Sequence, residues 1–218
     1  MANNSASDQN KLTRKHMKRI KPSQARRGIY LDFEGFKDKS PAVVGILKDD
    51  QFRQIVLDSH LRSAAEFARL DTVSLGDVIK QLYEECETEK RFMIAFSEHE
   101  MNVVFRDCGI DISRRYKNAR TYASRWASRY GKNSVLERHS LEEFLKLPEV
   151  DYNFPENLPK GNATRWLRAV SDGLAKRGDF ASLTSTQKGH WERLLEYNRH
   201  DVYGLRALTL RVSAELKR

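Results

Sequence analysis

The chain has 218 residues, 39% apolar and 32% charged, enough for one sizeable domain with an ample core. No apolar run approaches the length of a membrane span, and the Asn- and Ser-rich start lacks the apolar region of a signal peptide. Cys86 and Cys108 are the only cysteines, which excludes a disulfide framework or a thiolate metal site and makes a reduced, cytoplasmic protein the expectation.

The net charge of +9 is unevenly placed. Residues 1–27 carry Lys11, Arg14, Lys15, Lys18, Arg19, Lys21, Arg26 and Arg27 against Asp8, a net +7. The other residues hold 31 basic and 29 acidic groups, a net +2. Residues 1–27 also lack apolar periodicity, so a flexible basic arm is expected there, of the kind that contacts a polyanion or merely aids solubility. The remaining residues, 28–218, form the expected folded domain.

From Gly28 three strand-like runs follow, Gly28–Glu34, Ala42–Leu47 and Phe52–Ser59, separated by turn residues such as Lys48-Asp-Asp50, which predicts an antiparallel meander. A helix is predicted from Leu75 to Glu89, a strand from Phe92 to Phe96, and a helix from Glu98 to Cys108. Helices are then predicted over Asp111–Tyr130, Leu141–Leu147, Thr164–Lys176 and Thr186–Leu216, with the Pro-, Asn- and acid-rich stretch Pro148–Gly161 as a loop. Strands first, then alternation, then a long terminal helix predicts an α/β fold, a sheet covered by helices.

Two acidic motifs stand at opposite ends of this plan. In Ile29-Tyr-Leu-Asp-Phe-Glu-Gly35 the period of two puts Ile29, Leu31 and Phe33 on one face of a strand and Tyr30, Asp32 and Glu34 on the other. Two carboxylates on one face of an otherwise apolar strand repel and lose hydration unless a cation sits between them. In Tyr197-Asn-Arg-His-Asp201, Tyr197 and Asp201 are four apart and share a helix face. The plainer reading puts Asp32 and Glu34 at the end of a surface hairpin, Tyr197 at a core edge and Asp201 on a solvated face. His99 and His200 read as surface or supporting groups, and Glu192 and Glu196 as the solvated side of the last helix.

Asp-x-Glu on the first strand, an acid after a later strand and Tyr-x-x-x-Asp on the last helix resemble the DEDD 3′–5′ exonucleases of the RNase H-like superfamily. Tyr197 four before Asp201 resembles their tyrosine subclass. The wording Leu195-Glu-Tyr-Asn-Arg-His-Asp-Val-Tyr-Gly-Leu205 is similar to YprB-type RNase H-like domains of bacterial nucleases. The resemblance covers about residues 28–212 and implies an RNase H-like mixed β-sheet flanked by helices. It also implies a metal-dependent nuclease acting on DNA or RNA, with no membrane partner. Its middle acid falls at Glu100 in Ala95-Phe-Ser-Glu-His-Glu100, with Glu98 in reserve. Ser97-x-x-Glu100 is equally a capping box.

The ligand set implied is Asp32, Glu34, Glu100 and Asp201 around two Mg²⁺ or Mn²⁺ ions, with Tyr197 orienting the attacking water. Hard oxygen ligands suit such ions, and a pair of them serves attack, charge stabilisation and departure in phosphodiester hydrolysis. A phenol near pKa 10 is a poor base, so orientation fits Tyr197 better than proton abstraction. Two other outcomes stay open: a nucleic-acid-binding module of weak activity, and a structure-directed endonuclease of the same superfamily. Arg114–Lys132 adds seven basic residues and no acid, with Tyr122, Trp126 and Tyr130 every four residues. The aromatics either stack on bases or pack onto the sheet.

Overall fold

The computed structural model describes residues 19–38, 40–155, 158 and 161–216. The strands are β1 (Ile29–Gly35), β2 (Pro41–Lys48), β3 (Gln51–Val56), β4 (Asp71–Thr72), β5 (Met93–Ala95) and β6 (Tyr116–Asn118). They form one mixed sheet in the order β4-β3-β2-β1-β5-β6, in which β2 alone runs against the rest. The helices are α1 (Pro22–Arg26), α2 (Arg62–Phe67), α3 (Leu75–Thr88), α4 (His99–Cys108), α5 (Ala119–Arg129), α6 (Leu141–Leu145), α7 (Ala163–Arg177) and α8 (Ser185–Glu215). Among the described residues no helix is long and apolar enough to cross a membrane.

The alternation of β1 sorts the core into two sides. Ile29 and Leu31 join Val44 and Ile46 of β2 under Val78, Ile79 and Leu82 of α3 and Val104 of α4. On the opposite face Tyr30 and Leu47 meet Val202, Leu205 and Leu208 of α8 and Trp126 of α5. Trp191 and Leu194 at the start of α8 pack with Trp166, Leu167 and Val170 of α7. The sheet is thus covered on both faces, as a largely parallel sheet requires. The meander of the first three strands is present, its β3 ending at Val56 because Asp58 caps a 3₁₀ turn over Ser59–Leu61.

Two expectations need correction. Asp111–Tyr130 is not one helix: it holds a 3₁₀ turn (Ser113–Arg115), then β6, then α5. Tyr116-Lys117-Asn118 becomes a strand by pairing in parallel with Met93-Ile94-Ala95, a tertiary pairing with no local signature. Asn118 then starts α5 by accepting from the Thr121 amide. The folded part also begins before Gly28. Residues 1–18 lie outside the described residues, but Ile20 and Ala25 are buried in the core, and the Tyr30 hydroxyl donates to the Ala25 carbonyl at 2.5 Å. Of the two readings of the aromatic stripe, packing holds for Tyr122 and Trp126, which are core residues, and only Tyr130 offers its ring to solvent.

Candidate metal centre

β1, β5 and β6 are parallel, so their C-terminal ends share one edge of the sheet. In open α/β sheets this is the edge at which ligands bind. Asp32 and Glu34 lie near it on the α8 face of β1. The register with β2 shifts between Glu34 and Gly35, the kind of irregularity that re-aims a side chain beside a site. α8 crosses this face and brings Asp201, one turn after Tyr197, to the same place. Asp32, Glu34 and Asp201 each offer a carboxylate oxygen within 4.8 Å of the other two. They line a cleft of about 270 Å³ together with Phe33, Tyr197 and Gly161, Ala163 and Thr164 at the start of α7.

Like charges this close are costly. Two unit charges 4.8 Å apart repel by about 3.5 kcal/mol at an effective dielectric of about 20. Burial pushes the Asp32 carboxyl well above the usual range, and the charges of Glu34, Asp201 and Glu100 push it further. Asn198 opposes this by donating Nδ2 to Asp32 Oδ2 at 3.1 Å. Glu34 is raised by burial first and by Asp201 second. Asp32 keeps some exposure to the cleft, but the packed groups around it strip most of its hydration. The cluster therefore either takes up protons or holds a cation. Three hard oxygen donors, with no thiolate or imidazole among them, could hold a metal ion.

Tyr197 forms part of the cleft wall, its ring edge-on to Phe154 at 5.7 Å and to Trp166 at 6.4 Å. Its hydroxyl donates to Glu142 Oε1 of α6 at 2.8 Å. Burial, then Asp201 and the Glu142 bond, keep the phenol protonated far above its ordinary pKa. It is a neutral hydrogen-bonding group and not a base.

The middle acid behaves differently. Glu100 is 5% exposed but stands outside the three-carboxylate cluster. The Tyr116 hydroxyl donates to the Ser97 carbonyl and lies 3.1 Å from Glu100 Oε2, and the Ser97 hydroxyl donates to the same oxygen at 3.3 Å. Burial raises its carboxyl while these bonds lower it, and its charge still reaches Asp32. Ser97 accepts from the His99 amide, but the N-cap of α4 is Glu98 and no side chain caps the helix, so Ser97 is not the N-cap that the capping-box reading made it. Glu98, the reserve candidate, is exposed. His200 bonds to the Tyr152 hydroxyl at 2.6 Å and is not among the clustered ligands, and Glu192 and Glu196 are exposed.

Two residues beside the site gave no signal in the sequence. Asn198 reads as one polar residue on a polar helix, and Glu142 as part of a short acidic helix far from either motif. Only the fold brings them to Asp32 and Tyr197. No protein family, curated protein sequence or solved structure matches the chain.

Proposed function

We propose that this chain is a metal-dependent nuclease that hydrolyses phosphodiester bonds of DNA or RNA, working as a 3′–5′ exonuclease with two Mg²⁺ or Mn²⁺ ions. The observation that carries the reading is the meeting of Asp32, Glu34 and Asp201 in one cleft with Tyr197 on its wall. The direction of digestion and the number of ions come from the resemblance to the tyrosine-subclass DEDD exonucleases. The mixed sheet flanked by helices is consistent with the RNase H-like fold that the resemblance implies.

In this reading Asp32, Glu34 and Asp201 hold the metal. Bound there, the ions supply a nucleophile at neutral pH and neutralise charge developing on the phosphate and the leaving oxygen. Glu100 adds negative charge that reaches Asp32 from outside the three-carboxylate cluster. Tyr197 orients the attacking water by accepting a hydrogen bond from it. α7 opens at the cleft with no acid in its first turn, and amides at such a helix end favour a phosphate. The basic residues of the N-terminal arm and the exposed Arg114, Arg120, Arg125 and Arg129 supply sequence-independent affinity for the strand.

End-labelled DNA and RNA oligonucleotides incubated with Mg²⁺ or Mn²⁺, beside an EDTA control, test this. Stepwise loss from the 3′ end that EDTA abolishes is the expected result. Cleavage of covalently closed single-stranded circles would make the enzyme an endonuclease. Binding without cleavage would favour the nucleic-acid-binding module, which the placement of Glu100 outside the cluster keeps in view.

A further inference from the structure

One row of residues runs across the middle of the sheet on the α8 face. Asp32 of β1 pairs with Gly45 of β2, which pairs with Gln54 of β3. The glycine leaves a gap between two polar side chains, and the fully buried Asn198 of α8 fills it. Asn198 Nδ2 donates to the Asp32 carbonyl and to Asp32 Oδ2, both at 3.1 Å. Its Oδ1 accepts from Gln54 Nε2 at 2.9 Å, and that same nitrogen donates to the Leu195 carbonyl at 2.9 Å. A Cβ at position 45 would overlap Asn198 Oδ1 and come within 2.9 Å of Val202 Cγ2, so the amide fits only over glycine.

The polarity of this chain of bonds is pinned at both ends. The Leu195 and Asp32 carbonyls can only accept, so Gln54 must turn its nitrogen toward Leu195 and Asn198 must turn its own toward Asp32. Asp32 Oδ2 is thereby held as an acceptor, which fixes the rotation of the carboxylate toward the cleft. A neutral amide orients the carboxylate without neutralising it. That is the property a positioning group beside a metal ligand needs, since a cationic partner would compete with the ion.

We propose that Asn198, itself oriented by Gln54, is a positioning residue for the metal centre, setting the rotation of the Asp32 carboxylate; this rests on the cluster being a metal site. A merely structural tie between α8 and the sheet would affect stability and leave ion affinity alone. Mn²⁺ titration of the full chain, with free ion followed by electron paramagnetic resonance, separates the two. Asn198→Ala and Gln54→Glu, at a part-buried position, should each weaken Mn²⁺ binding about 10- to 100-fold. Gln54→Glu should add nothing in the Asn198→Ala background, because Gln54 acts through Asn198. Far-UV circular dichroism and thermal midpoints in EDTA verify the fold, and Gln54→Glu carries the test if Asn198→Ala does not fold. Folded variants with wild-type Mn²⁺ affinity would overturn the positioning role while leaving the metal centre in place. A wild-type chain that takes up no Mn²⁺ would remove the metal centre itself, and the positioning role with it.

Discussion

The Tyr197 hydroxyl spends its one hydrogen on Glu142 Oε1, 2.8 Å away, so toward the cleft it can only accept. An acceptor fixed there holds a water by that water's hydrogen and leaves an oxygen lone pair free for phosphorus. Tyr197→Phe should therefore keep wild-type Mn²⁺ affinity and slow single-turnover cleavage about 100-fold. Glu142→Ala should slow it too, and should cost little more once Tyr197 is already Phe. Independent, additive losses in the double variant would show that Glu142 does not act through Tyr197.

The three clustered acids and Glu100 should separate in mutagenesis. Asp32→Ala and Asp201→Asn each remove a ligand and should abolish both hydrolysis and Mn²⁺ binding while circular dichroism stays native. Glu100→Gln keeps a side chain of the same shape between Tyr116 and Ser97 and removes only charge. A residual Mn²⁺ affinity well above that of Asp201→Asn is expected. Equal losses in the two variants would place Glu100 among the ligands.

Crowding of the carboxylates has a pH signature. The folded-state pKa values of Asp32 and Glu34 are raised, so the native state binds more protons than the unfolded chain. The stability they contribute is fully present below the ordinary carboxylate pKa of about 4, and is lost as pH rises through the raised values. In EDTA, Asp32→Asn should melt close to wild type at about pH 4 and above it at about pH 8. Saturating Mn²⁺ should close that gap by stabilising wild type alone. A difference in melting temperature that ignores pH would mean that Asp32 is not strained by its neighbours.

What was legible in the sequence was periodic. Asp32 and Glu34 announced a shared face because a strand repeats every two residues, and Tyr197 with Asp201 because a helix nearly repeats every four. The order of the major elements followed from the same patterns. β6 escaped because three residues cannot display a period, and their strand geometry comes from Met93–Ala95 alongside. Ile20 and Ala25 escaped because single apolar residues amid lysines and arginines carry no pattern. Asn198 was hidden for a related reason: a buried amide is recognisable only from its partners, and Asp32, Gly45 and Gln54 lie on three different strands.

Burial of Ile20 and Ala25 divides the basic N-terminal segment in two. Deleting residues 1–18 removes four basic residues and one acid, and should leave the fold intact. Each phosphate that the shortened chain no longer neutralises flattens the slope of log K against log salt by about 0.7 for a single strand, so a change of up to roughly 3 is expected. KM should rise while kcat on saturating short substrate holds. Deleting residues 1–27 should also lower the melting temperature, since it takes Ile20 and Ala25 from the core. Superimposable salt slopes for full-length and shortened protein would mean that residues 1–18 do not touch nucleic acid.

The acids come from the first strand and the last helix, and this sets the order in which the molecule can assemble. A chain emerging from synthesis carries Asp32 and Glu34 long before Asp201 exists, and until α8 docks there is no pocket to load. An ion that binds only the finished cluster has no purchase on the folding transition state if docking of α8 is a late event. Added Mn²⁺ should then leave the refolding rate nearly unchanged and slow unfolding, so that metal acts as a latch on a completed structure. Stopped-flow refolding and unfolding with and without Mn²⁺ would show it, and faster refolding with metal would mean that the two ends of the chain meet early.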